Sequence, residues 1–184
     1  YQSNSGKPSI PRNYAIKHSR GQYIFIFDSD DLMIQGKLQR TVDLLDRHQD
    51  AGLLFTGFSC IDEDNEVINS SFLGSNETLE KLPKKLIEQD AFLIDKDIAL
   101  KGLVKSNFLG TSGVAIRKEV FNAVGLFDEE VKNADDAIMW QAVSSRFNFI
   151  YIPTIYHQYR VRSGSISARK IEERADGIIA AMKK

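Results

Sequence analysis

Three carboxylates stand within four residues of the sequence, at Asp28, Asp30 and Asp31. They directly follow residues 22–27, a run of largely aromatic and β-branched side chains that predicts a strand covered on both faces, as in a parallel sheet. Ligands of open α/β sheets bind beyond the carboxyl ends of the strands. Carboxylates crowded at such a position repel one another unless a cation neutralises them, and their hard oxygens suit Mg²⁺ or Mn²⁺. The run therefore indicates a divalent metal site in which the metal also bridges to phosphate oxygens.

Two other interpretations of the acidic run are open from the residues themselves. It could be a solvated turn in which Asp31 caps the following helix. It could also belong to a phosphatase of the haloacid dehalogenase type, with Asp28 as nucleophile and Asp30 as acid. That class has a Gly-Thr or similar pair after its second aspartate, whereas this chain continues with Asp31 and Leu32. The metal site is favoured because the preceding strand is strongly apolar and predicted to be central.

The elements that must position this run alternate through the first half of the chain. The spacing predicts helices over residues 10–19, 36–49, 77–89, 95–105, 118–124, 134–147 and 168–184, and strands over residues 22–27, 52–61, 112–117 and 148–159, with a hairpin arm at 66–70. Pro83 interrupts the third of these helical patterns. This order predicts an α/β sheet with helices on both faces. No linker divides the chain, so we expect one domain over residues 1–184.

The composition limits the function classes. The chain has 184 residues, of which 42% are hydrophobic and 27% charged, an ordinary globular make-up. A net charge of −1 argues against a nucleic-acid partner, which would require a basic excess. No apolar stretch is long enough to span a bilayer, and we expect no signal peptide. A single cysteine excludes an internal disulfide, so we expect a reducing, cytoplasmic setting.

Three side chains that often carry chemistry are assigned structural roles. Cys60 lies in the apolar run of residues 53–61, which favours a buried, inert thiol. His157 is a lone histidine at a strand end, and Trp140 lies on a helix where a core position is favoured. We therefore expect none of the three at the reacting centre.

A series of short motifs surrounds the acidic run. Before it come Asn4-Ser5-Gly6, Arg12-Asn13-Tyr14-Ala15-Ile16 and residues 19–24; after it come residues 113–118 and 124–129, the pair Asp135-Asp136, and Tyr159-Arg160 followed by residues 163–167. In order and spacing this series resembles the family 2 glycosyltransferases of GT-A fold, over nearly the whole chain. The resemblance implies a GT-A-like, Rossmann-like α/β fold with a mixed, mostly parallel sheet.

The resemblance also implies roles for individual residues. Asp28 and Asp30 would form the Asp-x-Asp pair, with Asp30 ligating Mn²⁺ or Mg²⁺ and Asp28 contacting the metal shell or the donor ribose. Arg12 would lie near the nucleotide base or its phosphates. Asp136 would be the base that deprotonates the acceptor hydroxyl in an inverting displacement. By position alone Asp136 could instead be a first-turn residue that stabilises its helix dipole.

Two departures from the family pattern affect these expectations. The family often has histidine where this chain has Arg162, so Arg162 or Arg160 could bind the diphosphate directly. The family normally begins with two βα units that bind the nucleotide base, and this chain starts just after them. We therefore expect part of a larger protein, an incomplete donor pocket and exposed strand edges that favour self-association.

The leading hypothesis is a metal-dependent glycosyltransferase that moves a sugar from a nucleotide-diphosphate donor to a carbohydrate, lipid-linked or protein acceptor, as in polysaccharide biosynthesis. It would act in the cytoplasm or at the inner membrane face, with peripheral membrane association. A second hypothesis is a non-catalytic remnant that binds metal or a partner without turnover. The phosphatase is the third.

Overall fold

The computed structural model describes residues 6–131 and 134–162. Its helices are α1 (Ser9–His18), α2 (Lys37–Arg47), α3 (Glu77–Lys81), α4 (Lys96–Lys105), α5 (Val120–Val124) and α6 (Asp135–Ser144), with short 3₁₀ helices at Leu73–Ser75 and Thr111–Gly113. Its strands are β1 (Tyr23–Phe25), β2 (Leu32–Met33), β3 (Ala51–Ile61), β4 (Val67–Asn69), β5 (Lys85–Glu88), β6 (Ala91–Ile94), β7 (Ala115–Arg117) and β8 (Asn148–Arg160). None of these helices is long and apolar enough to cross a membrane.

The eight strands form one sheet in the order β1-β7-β3-β8-β6-β5, with β2 added to β8 and β4 added to β3. The two long strands β3 and β8 pair in parallel at its centre. The predicted α/β fold with a mixed sheet is confirmed, but the expectation of a mostly parallel sheet is wrong. Among the described strands β3 and β8 are the only parallel pair, because β7 runs against both of its neighbours and β6 runs against β8.

Helices cover both faces of this sheet, as predicted. Successive side chains of a strand point to opposite faces, so Leu53 and Phe55 of β3 belong to one apolar cluster and Leu54 belongs to the other. Leu45 of α2 packs with Leu54, whereas Trp140 of α6 packs in the cluster of Leu53 and Phe55. Trp140 is fully buried, which confirms the core position expected for it.

The predicted helix over residues 77–89 is wrong in its second half. Helix α3 ends at Lys81, and Leu82 adopts an extended conformation with φ −64° and ψ 131°. An extended residue is what the proline ring at position 83 imposes on its predecessor. The following residues form the hairpin of β5 and β6, which joins the sheet against β8, and neither strand was predicted. The predicted helix 168–184 lies outside the described residues.

Strand β8 contains a bulge that requires a glycine opposite it. The pairing with β3 moves from Thr56 and Ile152 directly to Gly57 and Ile155. A Cβ atom on Gly57 would lie 2.2 Å from the carbonyl oxygen of Pro153, so a side chain cannot be accommodated there. Beyond the bulge, β8 continues to the acidic run at the end of β1.

Candidate active site

The acidic run forms the connection between β1 and β2, at a strand end as predicted. The backbone N–H of Asp28 donates to Oγ of Ser112 at 3.0 Å, and the N–H of Asp31 closes a turn on the carbonyl of Asp28 at 3.2 Å. Asp31 is buried, whereas the side chains of Asp28 and Asp30 are 38% and 39% exposed. The two carboxylates predicted as the metal pair are therefore the two that solvent reaches. We call residues 28–31 the acidic loop.

Arg12, on α1, joins the acidic loop to the start of α6. Its Nη2 lies 3.0 Å from Oδ1 of Asp28, and its Nη1 lies 3.1 Å from Oδ2 of Asp135. The guanidinium also stands over the ring of Phe127, 5.7 Å from the ring centroid. One cation thus holds two carboxylates that come from distant parts of the sequence. The structure places Arg12 beside the predicted metal pair, with its guanidinium bound to carboxylates.

The two adjacent aspartates of α6 differ in environment. Asp135 is 5% exposed, and burial raises the pKa of its carboxyl, while the charge of Arg12 acts in the opposite direction. Asp136 is partly exposed, and its Oδ2 accepts hydrogen bonds from Nδ2 of Asn107 at 3.2 Å and from Oγ1 of Thr111 at 3.3 Å. Asp135 therefore anchors α6 to α1, and Asp136 is the more accessible carboxylate of the pair.

Helix α1 also fixes the segment that leads towards α6. The Nδ2 of Asn13 donates to the carbonyl of Phe127 and to Oε1 of Glu129, both at 2.8 Å. Its Oδ1 accepts from the N–H of Phe127 at 2.9 Å. Immediately before α6, Ala134 adopts a left-handed φ of 64°, a conformation that costs a non-glycine residue about 1 kcal/mol or more. The Arg-Asn pair of the sequence motif thus attaches α1 twice: Arg12 contacts α6 itself, and Asn13 contacts the segment that precedes α6.

The two arginines near the end of β8 make different contacts. Arg160 donates from Nε to the carbonyl of Asp30 at 2.9 Å, from Nη1 to the carbonyl of Asp62 at 2.8 Å and from Nη2 to Oδ1 of Asn65 at 2.6 Å. It therefore fastens the acidic loop to the turn after β3. The side chain of Arg162 is half exposed, and its Nε lies 3.6 Å from Oδ2 of Asp30. Arg162 is the arginine that a ligand at Asp30 could reach.

The acidic loop fits a metal that is shared with a phosphate ligand. Within residues 6–131 and 134–162, no three His, Cys, Asp or Glu side chains gather as a metal-binding group. Asp28 and Asp30 supply two accessible carboxylates. Mg²⁺ is commonly held by one or two carboxylates together with substrate phosphates and waters, and Mn²⁺ accepts the same oxygen ligands. These two carboxylates suit a metal site that phosphate and water complete. They are too few for a site in which the protein supplies every ligand.

A groove of about 520 Å³ runs between α1 and β1 and reaches Arg12 and Asp28. Within the described residues β1 has a strand neighbour on one side only, the antiparallel β7. The groove therefore follows an open strand edge, in agreement with the exposed edge expected from the sequence, and β1 is not the central strand that its apolar pattern predicted.

Three residues that support the site were not identified from the sequence. Lys37 is 1% exposed although it opens a surface helix, and its ammonium donates to the carbonyl of Ser112. Asn107 and Thr111, which bind Asp136, lie in a segment without a recognisable motif. Their partners are 25 or more residues away, so no local pattern could have identified them.

The other two side chains assigned structural roles are buried. Cys60 is 4% exposed, and burial raises the pKa of its thiol, in keeping with an inert residue. His157 is fully buried and stacks on Phe58, with ring centroids 5.0 Å apart. The buried position expected for Cys60 is confirmed, and His157 lies in the interior, as a structural residue would.

Comparison with known proteins adds an independent finding. An uncharacterized glycosyltransferase of Rickettsia typhi is 25% identical over 162 residues, which cover 88% of this chain and 44% of that protein. GlyG, a glycosyltransferase of Streptococcus pneumoniae, is 25% identical over 166 residues, which cover 90% of this chain and 52% of GlyG. The crystal structure of S. aureus TarS 1-349 matches with a TM-score of 0.58 at 19% identity, over 87% of this chain and 42% of that chain. This last likeness confirms the GT-A-like fold.

The chain thus spans about half the length of these two relatives. Residues 2–125, more than half of the chain, match the family model described as "Glycosyl transferase family 2". This match covers the acidic loop and sets aside the phosphatase interpretation of it. The chain belongs to glycosyl transferase family 2.

Proposed function

We propose that this chain transfers a sugar from a nucleotide-diphosphate donor to an acceptor hydroxyl, in a metal-dependent reaction that inverts the anomeric carbon. The observation that carries the proposal is the bridge made by Arg12, which holds Asp28 of the acidic loop and Asp135, the neighbour of Asp136, on one cation. This contact supports a site in which the proposed metal-binding carboxylates and the candidate base act on the same substrate.

In the proposed reaction Asp28 and Asp30 would hold Mg²⁺ or Mn²⁺ beside the donor diphosphate. A metal bound there would supply positive charge that offsets the charge developing on the leaving group. Asp136 accepts the proton of the acceptor hydroxyl while the hydroxyl oxygen bonds to the anomeric carbon and the bond from that carbon to the diphosphate breaks. Asn107 and Thr111 orient the carboxylate of Asp136 through the two hydrogen bonds to its Oδ2.

Of the two arginines at the end of β8, we assign the diphosphate contact to Arg162. Its side chain is half exposed and borders Asp30, whereas the guanidinium of Arg160 is already bonded to the carbonyls of Asp30 and Asp62. A phosphate oxygen at Asp30 could replace the 3.6 Å contact between Arg162 and that carboxylate. Arg160 then acts on the site only by holding the loop.

For the acceptor we propose the classes expected from the sequence, namely a carbohydrate, a lipid-linked group or a protein. A lipid-linked acceptor would place the reaction at the inner membrane face, with peripheral association. Within the described residues the edge of β1 is open, which supports self-association by addition of a strand from a second copy of the chain.

The proposal is tested by incubating the chain with a panel of UDP-, GDP- and dTDP-sugars and Mn²⁺ and measuring release of the nucleoside diphosphate. We expect release from at least one donor, and its loss both with a chelator and in Asp136→Asn. Nucleotide binding without turnover of any donor would instead support the non-catalytic hypothesis. Phosphate release from a simple ester that depends on Asp28 would overturn both.

A further inference from the structure

A cluster of buried polar side chains lies beneath the acidic loop. Lys37 is 1% exposed, Asp31 is 6% exposed, and His157 and Thr56 are fully buried. Within the described residues, Oδ2 of Asp31, Oγ1 of Thr56 and both ring nitrogens of His157 have no hydrogen-bond partner. A buried ammonium destabilises a fold unless it is paired and hydrogen-bonded. The position of Lys37 therefore has to be explained by its contacts.

Lys37 contacts the residue that holds the first aspartate of the loop. Its ammonium donates to the carbonyl of Ser112, and Oγ of the same serine accepts the N–H of Asp28 at 3.0 Å. The ammonium also lies 5.1 Å from the ring centroid of Phe27, the residue before the loop. A single side chain thus fixes both the entry to the loop and the serine that supports it.

The charge of Asp31 acts on Lys37, although no ion pair joins the two side chains among the described residues. Burial lowers the pKa of Lys37 to about 8, and the charge of Asp31 acts in the opposite direction. Burial raises the pKa of Asp31, whose Oδ1 accepts the N–H of Arg160 at 2.9 Å. Burial lowers the pKa of His157 to about 3, so the neighbouring imidazole is neutral and cannot take over the role of the ammonium.

We propose that Lys37 is a positioning residue for the acidic loop: its buried ammonium holds the carbonyl of Ser112 and lies against Phe27, so that the backbone leading into Asp28 and Asp30 keeps its geometry. Without the ammonium, Ser112 would lose the contact that restrains it, and Asp28 would lose a fixed acceptor for its N–H. The importance of this loop rests on the proposed function, whereas the positioning itself concerns only the backbone of the loop.

Amide hydrogen exchange of the full chain, read by NMR, tests the proposal in Lys37→Met. The matched control is Arg40→Met, which removes a positive charge from the same helix where the guanidinium pairs with Glu88 and Asp90. We expect the amide of Asp28 to exchange about tenfold faster in Lys37→Met, with β3 unchanged, and wild-type exchange at Asp28 in the control. Unchanged exchange at Asp28 would overturn the proposal. So would equal acceleration throughout β3, since that result means a general loss of packing.

If Lys37→Met fails to fold, Ser112→Ala decides the question. It removes the hydroxyl that accepts the N–H of Asp28 and leaves the buried ammonium in place, so we expect the same local acceleration at Asp28, with β3 unchanged. Wild-type exchange at Asp28 in Ser112→Ala would overturn the proposal. A chain that is inactive with every donor would remove the proposed function and leave the exchange result standing, so the two failures are distinguishable.

Discussion

Arg12 and Asp135 form a largely buried ion pair across 123 residues of sequence, with Nη1 3.1 Å from Oδ2. The side chain of Asp135 is 6% exposed, so its charge depends on Arg12 for compensation. The other arm of the guanidinium holds Asp28. The stability of the α6 region and the geometry of the acidic loop are therefore coupled through one side chain.

Replacing Arg12 by methionine should lower the free energy of unfolding by about 2–4 kcal/mol, because Asp135 would be left as an uncompensated buried charge. Urea unfolding followed by circular dichroism measures this change. The same substitution in an Asp135→Asn background should have a clearly smaller effect. Equal effects in the two backgrounds would mean that the ion pair does not contribute to stability.

The two neighbouring aspartates provide a matched pair of isosteric variants. We expect Asp136→Asn to lower kcat by about 10²–10⁴, because the acceptor hydroxyl loses its base, while nucleotide binding is retained. Asp135→Asn should mainly lower the unfolding free energy and leave most of kcat per folded molecule. Steady-state kinetics and calorimetric binding separate the two cases. The reverse pattern would assign the base to Asp135.

The hydrogen bonds to Asp136 predict a smaller effect at Asn107. Asn107→Ala removes one of the two donors to Oδ2 and should lower kcat about tenfold, with little change in KM for the donor, because the carboxylate is less well oriented. Lys105→Ala, an exposed residue two positions earlier, serves as control. An unchanged kcat in Asn107→Ala would show that this hydrogen bond does not orient the base.

The metal proposal predicts a difference between two aspartates in neighbouring acidic turns. Asp30→Asn should remove the Mn²⁺-dependent part of the binding of the nucleoside diphosphate that the donor panel identifies, as measured by calorimetry, because Asp30 is proposed as a direct ligand. Asp64→Asn makes the same charge change in an exposed turn and should bind as wild type. Equal losses in both variants would indicate general electrostatics rather than coordination, and no loss in either would exclude Asp30 as a ligand.

His157 predicts a specific sensitivity to acid. Its pKa of about 3 in the folded chain lies below its ordinary value of 6.5, so between these values the unfolded chain binds a proton that the folded chain does not. The contribution of His157 to stability is therefore complete above pH 6.5 and falls by about 1.4 kcal/mol for each unit of pH below it, down to about pH 3. His157→Leu should show a shallower loss of stability over this window, and His18→Gln, at an exposed site, should not. Parallel curves for His157→Leu and wild type would contradict the assignment.

Local patterns predicted the elements that are stabilised by their own sequence. The amphipathic stripe of residues 36–49 and the apolar run of residues 52–61 correspond closely to α2 and β3. The strand before the acidic loop was also predicted, although its neighbour in the sheet is the antiparallel β7 and not a parallel strand. The β5–β6 hairpin was missed because its strands are short and gain their stability by joining β8.

The sequence by itself determined that carboxylates would crowd the end of a strand, and that Asp136 would stand in the first turn of a helix, because apolar runs and helix starts are local properties. It did not determine that Arg12 would bind both Asp28 and Asp135, or that Lys37 would be buried beneath the acidic loop. Those arrangements depend on which charges the fold brings together away from water, where an unpaired charge is strongly unfavourable. Tertiary packing alone decides that pairing, and with it the surroundings of the outward carboxylates Asp28 and Asp30.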